Sequence, residues 1–350
     1  MRIGYHTGYW SAGPPPGVAD AVRAADELGL DSVWTAEAYG SDALTPLAWY
    51  GAATRTVRLG TAVAQMAART PTATAMAALT LDHLSGGRFV LGLGASGPQV
   101  VEGWYGQPYS RPLARTREFI AVVRQVLARE RVQLDGEFYR LPLPPDEGTG
   151  LGKALRGTVH PLRADLPIHL AAQGPRNIAL AAEIADGWLP LFYAPRLDAE
   201  YRQLLADGFA RRAPGLRAAP EFEVAATVPV VLGPDLETAA DLVRPFIALY
   251  VGGMGAQGAN FHRDAAARLG YGEACDEIAA RFEAGDRAGA AAAVPTELVR
   301  DVALVGNGDD LRAQLGAWQG TAVTTLLIQT SPTALRDVVA ALRGGPEPRV

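Results

Sequence analysis

The chain has 350 residues, 49% of them hydrophobic, and a formal net charge of −5 with its histidines neutral. That length supplies a large core, and the acidic balance argues against nucleic acid as the main partner. The single cysteine, Cys275, excludes a disulfide framework and a cysteine metal cluster. No apolar run reaches membrane-spanning length and no signal-like segment opens the chain, so the expectation is a soluble cytoplasmic protein with no membrane partner.

Short apolar runs alternate with helical patterns from the start of the chain. Residues 2–6 read as a strand and 17–28 as a helix. Residues 32–37 and 57–64 read as the next two strands, followed by helices over about 45–53 and 72–84, the latter opened by Pro71. A fourth strand spans 88–94 and a fourth helix 115–130. This repeated β-α unit predicts a parallel sheet with helices outside it. The rhythm breaks over 131–165, where Pro142, Pro144, Pro145 and glycines 148, 150 and 152 mark a long loop. Within it, 132–139 with Asp135-Gly136 suits a small hairpin. Strands then follow at 168–171, 187–191, 222–232 and 324–329, with helices at 176–184 and 333–342. Further helices and a Gly-rich loop at 252–258 lie before the last strand.

Eight strands alternating with helices fit an α/β (β/α)8 TIM barrel, a single domain over 1–350 with insertions at about 131–165 and 252–300. A doubly wound open sheet is the competing architecture. The strand count and the absence of a linker favour the barrel.

One segment, Arg88-Phe-Val-Leu-Gly-Leu-Gly-Ala-Ser-Gly-Pro98, matches the dinucleotide pattern G-x-G-x-x-G at Gly92, Gly94 and Gly97. A working dinucleotide site opens a helix there and has an acidic residue about 20 positions on, at the end of the next strand. Here Pro98 follows the third glycine, and Glu118, at the right offset, falls inside the fourth helix. Two other readings remain: glycines that merely permit a tight turn, or a barrel-top loop laid against a flat cofactor. The second gains from the other strand ends that a barrel brings to the same rim: Thr35-Ala36-Glu37, Thr61-Ala-Val-Ala-Gln65 and Ala171-Ala-Gln-Gly-Pro-Arg176. These are mostly small residues, which leave room for a planar ring. No H-E-x-x-H, nucleophile elbow or phosphate-gripping G-x-x-x-x-G-K-[ST] occurs, so no metal is expected and a bound cofactor is left to carry the chemistry.

Further fragments carry a family resemblance. Ser32-Val-Trp-Thr-Ala-Glu37, Val57-Arg-Leu-Gly-Thr-Ala62, His83-Leu-Ser-Gly-Gly-Arg-Phe-Val-Leu-Gly-Leu-Gly94 and Asp186-Gly-Trp188 resemble the luciferase-like monooxygenase superfamily. Gly97-Pro-Gln-Val-Val-Glu-Gly-Trp-Tyr-Gly106, Tyr250-Val-Gly-Gly-Met-Gly255 and Asn260-Phe-His262 are similar to its deazaflavin branch, which includes methylenetetrahydromethanopterin reductase. The resemblance implies coenzyme F420 as cofactor, with FMN as the alternative. It implies hydride transfer between the deazaflavin C5 and an unsaturated small molecule (C=C or C=N), in a homodimer. It also implies a non-prolyl cis peptide between Ala62 and Val63. Cofactor contacts map to Glu37, Ala62, Val63, Ala64, Ser96, Gly97, Gln173, Gly174, Pro175 and Arg176.

Glu37 and His6 are the expected catalytic groups, with Tyr5 a further proton donor. A carboxyl pressed against a ring has its pKa raised, which suits an acid. Two rivals stand beside this reading: an FMN-dependent monooxygenase using reduced flavin and oxygen, and a non-catalytic cofactor-binding barrel. The chain departs from the resemblance in places. Glu37-Ala38 replaces the Asp-His pair of the sugar-phosphate dehydrogenases, which puts alcohol oxidation of that kind in doubt. With Lys153 the only lysine, Arg176, Arg196 and Arg263 are the candidates to hold the cofactor phosphate. His262 is expected on a surface loop, or as a gate for substrate.

Overall fold

Eight parallel strands close into a barrel: β1 (Arg2–His6), β2 (Ser32–Thr35), β3 (Arg58–Thr61), β4 (Phe89–Gly94), β5 (Ile168–Ala171), β6 (Gly187–Leu189), β7 (Glu223–Leu232) and β8 (Thr325–Gln329). Each pairs with the next, and β8 returns to β1 with Arg2 opposite Thr325 and Tyr5 opposite Ile328. The computed structural model describes residues 1–255 and 260–345. The strands are apolar runs because the barrel buries both faces; all six residues of β4 are buried.

The third strand departs from the continuous 57–64 run. It stops at Thr61, the Ala62–Val63 bond is cis, and Ala64–Gln65 resumes pairing opposite Leu93–Gly94 of β4.

The outer layer comprises α1 (Val18–Glu27), α2 (Leu44–Gly51), α3 (Pro71–Ser85), α4 (Pro112–Leu127), α5 (Pro175–Ile184) and α6 (Asp198–Phe209). Thr70 caps α3 by accepting the Ala73 N–H, Pro71 opens it, and Gly86 ends it in the left-handed conformation. Helix α4 starts three residues earlier than the apolar period indicates, because Pro112 opens it behind a left-handed Arg111.

The loop after α4 holds the expected hairpin, shifted so that Leu134–Asp135 pairs with Arg140–Leu141. Its turn is tied to α4 by Glu118, whose carboxylate accepts the N–H groups of Glu137, Phe138 and Tyr139 at 2.8–3.0 Å. The acid at the dinucleotide offset is therefore a turn anchor.

The region of the second insertion, expected at about 252–300, lies between β7 and β8. It runs through α7 (Leu236–Gly252), α8 (Phe261–Ala266), α9 (Gly272–Glu283), α10 (Arg287–Ala292) and α11 (Thr296–Val302). A short strand, Leu304–Gly306, then pairs with the end of β7. These helices share an apolar cluster with Phe192, Ala194 and Val305, and Val243, Ile247, Ile278 and Val299 are buried in it. Of the expected Gly-rich loop, Gly252 closes α7, and residues 256–258 lie outside the described residues. Helices α12 (Gly308–Trp318) and α13 (Leu335–Leu342) complete the ring. No described helix is long and apolar enough to cross a membrane.

The barrel interior is filled by Trp34, Val90, Leu189, Ala225 and Leu327. Two inward glycines make the fit possible: a Cβ on Gly60 would lie 2.3 Å from the Trp34 ring, and one on Gly92 1.7 Å from the Thr61 carbonyl oxygen. At the amino-terminal end, Glu223 of β7 accepts from Arg58 at 2.7 and 2.8 Å, pairs with Arg2 at 2.8 Å and takes the Thr325 hydroxyl. This network closes the barrel floor and leaves the opposite end open.

Candidate functional site

The open end is a cleft at the carboxyl ends of the strands, where barrel enzymes place their chemistry. Its lining includes residues at or just beyond the ends of seven of the eight strands and Thr227 from the middle of β7, together with Tyr250, Met254, Phe261 and His262 from α7, α8 and the turn after α7. One side is built almost without side chains, from Ala62, Val63, Gly94, Ala95, Gly97, Ala171 and Ala172. A Cβ on Gly94 would meet Val63 Cγ2 at 2.6 Å, so this wall depends on the glycine. Ser96 stands beside it in the left-handed conformation (φ 60°), and its carbonyl accepts the Tyr109 hydroxyl at 3.2 Å.

Glu37 is buried at the edge of the cleft with both oxygens occupied. Arg69 donates to Oε1 at 2.8 Å and to Oε2 at 2.9 Å, and the Gln65 backbone N–H donates to Oε2 at 2.8 Å. Gln65 in turn donates its side-chain amide to the carbonyls of Glu37 and Ala38. Its Oε1 is buried without a hydrogen-bond partner. Glu37 thus enters the cleft as a paired carboxylate, and the lone buried acid expected from the sequence is not what forms.

His6 is also fully engaged. Its Nδ1 accepts the Gly8 N–H at 3.1 Å, which assigns the proton to Nε2, the atom that donates to the Ala62 carbonyl at 3.2 Å. Burial lowers its pKa to about 4, against the opposing pull of that carbonyl. His6 is therefore a neutral brace for the strand-three bulge, with no proton to spare near neutral pH.

The cleft brings together His6, Glu37, Ala62, Val63, Ser96, Gly97 and Gln173 of the expected residues. Others point elsewhere. Ala64 packs into the core between barrel and helices. Gly174 caps α5 with φ 78°, and Pro175 and Arg176 are exposed on an outer groove between α4, α5 and α6. Tyr5 is fully buried in the core and does not line the cleft. Two of the three phosphate candidates are committed to other partners. Arg196 binds Asp301 through two contacts of 3.0–3.1 Å, and Arg263 pairs with Asp276. Among the described residues lining the cleft there is no arginine or lysine.

His262 is half-buried and lies on a helix, not on a loop. It sits in the first turn of α8, edge-on to Phe192 at 5.9 Å and to Tyr250 at 4.7 Å. Its Nδ1 is buried without a partner, and burial lowers its pKa to about 4.

Several lining residues, Tyr9, Tyr39, Tyr109 and Gln329 among them, were not singled out from the sequence, and Tyr250 was named there only within a family fragment. Tyr9 and Gln329 follow β1 and end β8, so the strand-end rule could have found them. Tyr250 reaches the cleft only because α7 folds over the barrel mouth. The Tyr250 hydroxyl donates to the Tyr9 hydroxyl at 3.1 Å.

A closed parallel barrel with a small-residue slot and a paired carboxylate at its carboxyl end has the architecture of the barrel enzymes. The chain belongs to the luciferase-like monooxygenase family, which it matches over residues 3–325. It is 55% identical over 343 residues, 97% of its length and 98% of the relative's, to a Mycobacterium tuberculosis protein whose name marks it as a provisionally assigned coenzyme F420-dependent oxidoreductase. It is 28% identical over 307 residues, 87% of each chain, to a 5,10-methylenetetrahydromethanopterin reductase of Archaeoglobus fulgidus. Its fold superimposes with a TM-score of 0.79 on a coenzyme F420-dependent tetrahydromethanopterin reductase from Methanopyrus kandleri, at 21% identity and 97% coverage of both chains.

Proposed function

We propose that the protein is a coenzyme F420-dependent oxidoreductase that transfers a hydride to or from an unsaturated small molecule containing C=C or C=N. The observation that carries this reading is the 55% identity, along nearly the whole chain, to a relative named for that coenzyme. The slot supports it. A deazaflavin ring is flat and carries N–H donors and carbonyl acceptors, and the small-residue wall has room for it beside the unpartnered Gln65 Oε1, an acceptor for a ring N–H.

The bound coenzyme supplies the hydride chemistry at C5. The rest falls to the chain. Ala62, Val63, Ser96, Gly97 and Gln173 would hold the ring. Glu37 fixes Gln65, and His6 fixes the Ala62 carbonyl, so the bulge is rigid before binding. The aromatic cover from α7 and α8 excludes water from the open face. Of the three phosphate candidates, Arg176, exposed on the outer groove and in no described ion pair, is the one left for an anionic tail that runs out of the cleft.

The test is equilibrium binding of F420 and FMN, oxidised and reduced, with oxygen uptake followed in parallel. The expected result is F420 binding without oxygen uptake, weakened about two- to fivefold in R176A as for one exposed ion pair. Reduced FMN binding with oxygen uptake, and no F420 binding, would transfer the protein to the monooxygenases of its family.

A further inference from the structure

The substrate side of the cleft has a distinct chemistry. Glu37, the one carboxylate in the described lining, is neutralised by Arg69. No arginine or lysine lines it, and residues 256–259 (Ala-Gln-Gly-Ala) carry no charge in the sequence. The wall facing the slot is aromatic and apolar: Tyr9, Tyr250, Phe261, His262 and Met254. A charged substrate would leave water for this wall without a counter-ion, which costs several kcal/mol.

Two hydroxyls interrupt the apolar wall. Tyr250 is 4% exposed and its hydroxyl donates to Tyr9. That leaves the Tyr9 proton free to donate onward, and Tyr9, 38% exposed, remains in touch with solvent. The competing donors are spent, weak or more open to solvent, the last being Tyr39, a further phenol of the lining that is 56% exposed. Both nitrogens of His6 are engaged, Glu37 is ion-paired, and the Tyr109 hydroxyl is given to Ser96. Ser96 and Thr227 are aliphatic alcohols, much weaker acids than a phenol.

Resting on the reading above, we infer that Tyr9 is the proton donor of this cleft and that its substrate is an uncharged, largely apolar carbonyl compound conjugated to a C=C bond. An isolated C=C accepts hydride poorly. A carbonyl hydrogen-bonded to a phenol draws the π electrons toward oxygen and opens the β-carbon to attack. In the reduction, bound reduced F420 would supply the hydride that makes the new C–H bond at the β-carbon. The C=C pair shifts to make an enol whose oxygen takes the Tyr9 proton. The enol ketonises with a proton from water, and Tyr9 is reprotonated from solvent. The net change is one hydride and one proton added across C=C. Tyr250 acts through Tyr9, as a positioning residue that steadies the phenolate by its hydrogen bond.

The test uses the full chain with F420, cyclohex-2-en-1-one as the neutral probe and cyclohex-1-ene-1-carboxylate as the charged one. F420 affinity is measured first, so a failure of cofactor binding is recorded separately from a failure of this assignment. The ketone is expected to be reduced and the carboxylate not. Y9F is expected to lower kcat by about 100-fold or more, the scale of a lost general acid, with F420 affinity unchanged. Y250F is expected to move the alkaline limb of kcat/KM to higher pH, because the Tyr9 phenolate loses its donor. Independently of turnover, calorimetry should detect cyclohexanone but not cyclohexanecarboxylate binding to the protein, with cyclohexanone weakened in Y9F. Y9F turnover within threefold of the parent, equal use of the carboxylate, or reduction of neither probe by F420-bound protein would overturn the assignment. So would calorimetry that fails to distinguish the ketone from the acid.

Discussion

Both oxygens of Glu37 meet N–H donors, two from Arg69 and one from Gln65. In E37Q one of those oxygens becomes an NH2 facing a guanidinium. Breaking a fully buried pair costs about 3–5 kcal/mol. Arg69 is 23% exposed, so water screens part of that loss and the expected cost is about 1–3 kcal/mol. Urea unfolding would read it, and R69M in the E37Q background should recover part of it, because an unpaired cation is removed. An E37Q protein as stable as the parent but inactive would instead restore Glu37 as an acid. The position of Glu37 at the rim was legible from the strand pattern. Its partner was not, since Arg69 lies 32 residues on, beyond the bulge and the turn at Met66–Ala68, with nothing local to link the two. His6 repeats the lesson: its place at the end of β1 was readable, while its occupied nitrogens depend on Gly8 and on Ala62 across the barrel.

The glycines of β4 and its loop matter through packing at the scale of elements. Gly92 faces the Thr61 carbonyl of β3, Gly94 the Val63 side chain, and Gly97 the end of the Gln99 side chain. Their spacing reproduces a dinucleotide motif because a strand crossing a crowded barrel and then entering a cleft also needs small residues. The three should differ sharply on substitution. G92A must push backbone aside, 1.7 Å from an oxygen, so the barrel should be destabilised by at least the 1–3 kcal/mol typical of overpacking, or fail to fold. G97A meets only the tip of a flexible side chain at 2.7 Å, at an extended backbone position, and should cost under about 1 kcal/mol. Unfolding midpoints in the reverse order would refute this account. The eight strands were legible because a doubly buried parallel strand is a short apolar run closed by turn residues. The packing of the helices between β7 and β8 was not. Helices α7 to α11 bury their faces against one another, and no periodicity tells which helix packs on the barrel and which on its neighbours. Tyr250 and His262 owe their place in the cleft to that packing alone.

At the scale of the whole molecule, buried titratable groups tie stability to pH. His6, His169 and His262 each have a pKa lowered to about 4, with burial the largest cause for all three. His169 sits beside the barrel-floor Glu223, whose attraction only partly offsets that burial, so their 3.6 Å contact joins a neutral imidazole to a carboxylate. Free histidine titrates near 6.5. Between about pH 6.5 and 4 the unfolded chain therefore binds protons that the folded one refuses, and stability falls as pH drops through that window. The slope is at most about 1.4 kcal/mol per pH unit for each histidine. It is smaller for His262, which is only half-buried.

A second loss follows at lower pH. Burial alone would raise the pKa of Glu223, but the Arg58 hydrogen bonds and the charges around them overcome it and hold it well below the usual carboxylate range. Asp26 is lowered to about 2 because the Thr56 hydroxyl and the N–H groups of Val57, Thr56 and Arg55 outweigh its burial. Both carboxylates stabilise the fold above their unfolded pKa near 4, and that stabilisation disappears as pH falls toward their folded values. Urea midpoints should thus be steady from pH 8 to 7, decline between pH 6.5 and 4.5, and fall further below. H262F keeps an aromatic ring against Phe192 and Tyr250 while removing one titrating group, and should flatten the upper part of the decline. Midpoints that stay level from pH 7 to 5 would mean these imidazoles are protonated in the folded chain, and the neutral roles assigned to His6 and His262 in the cleft would fall with them.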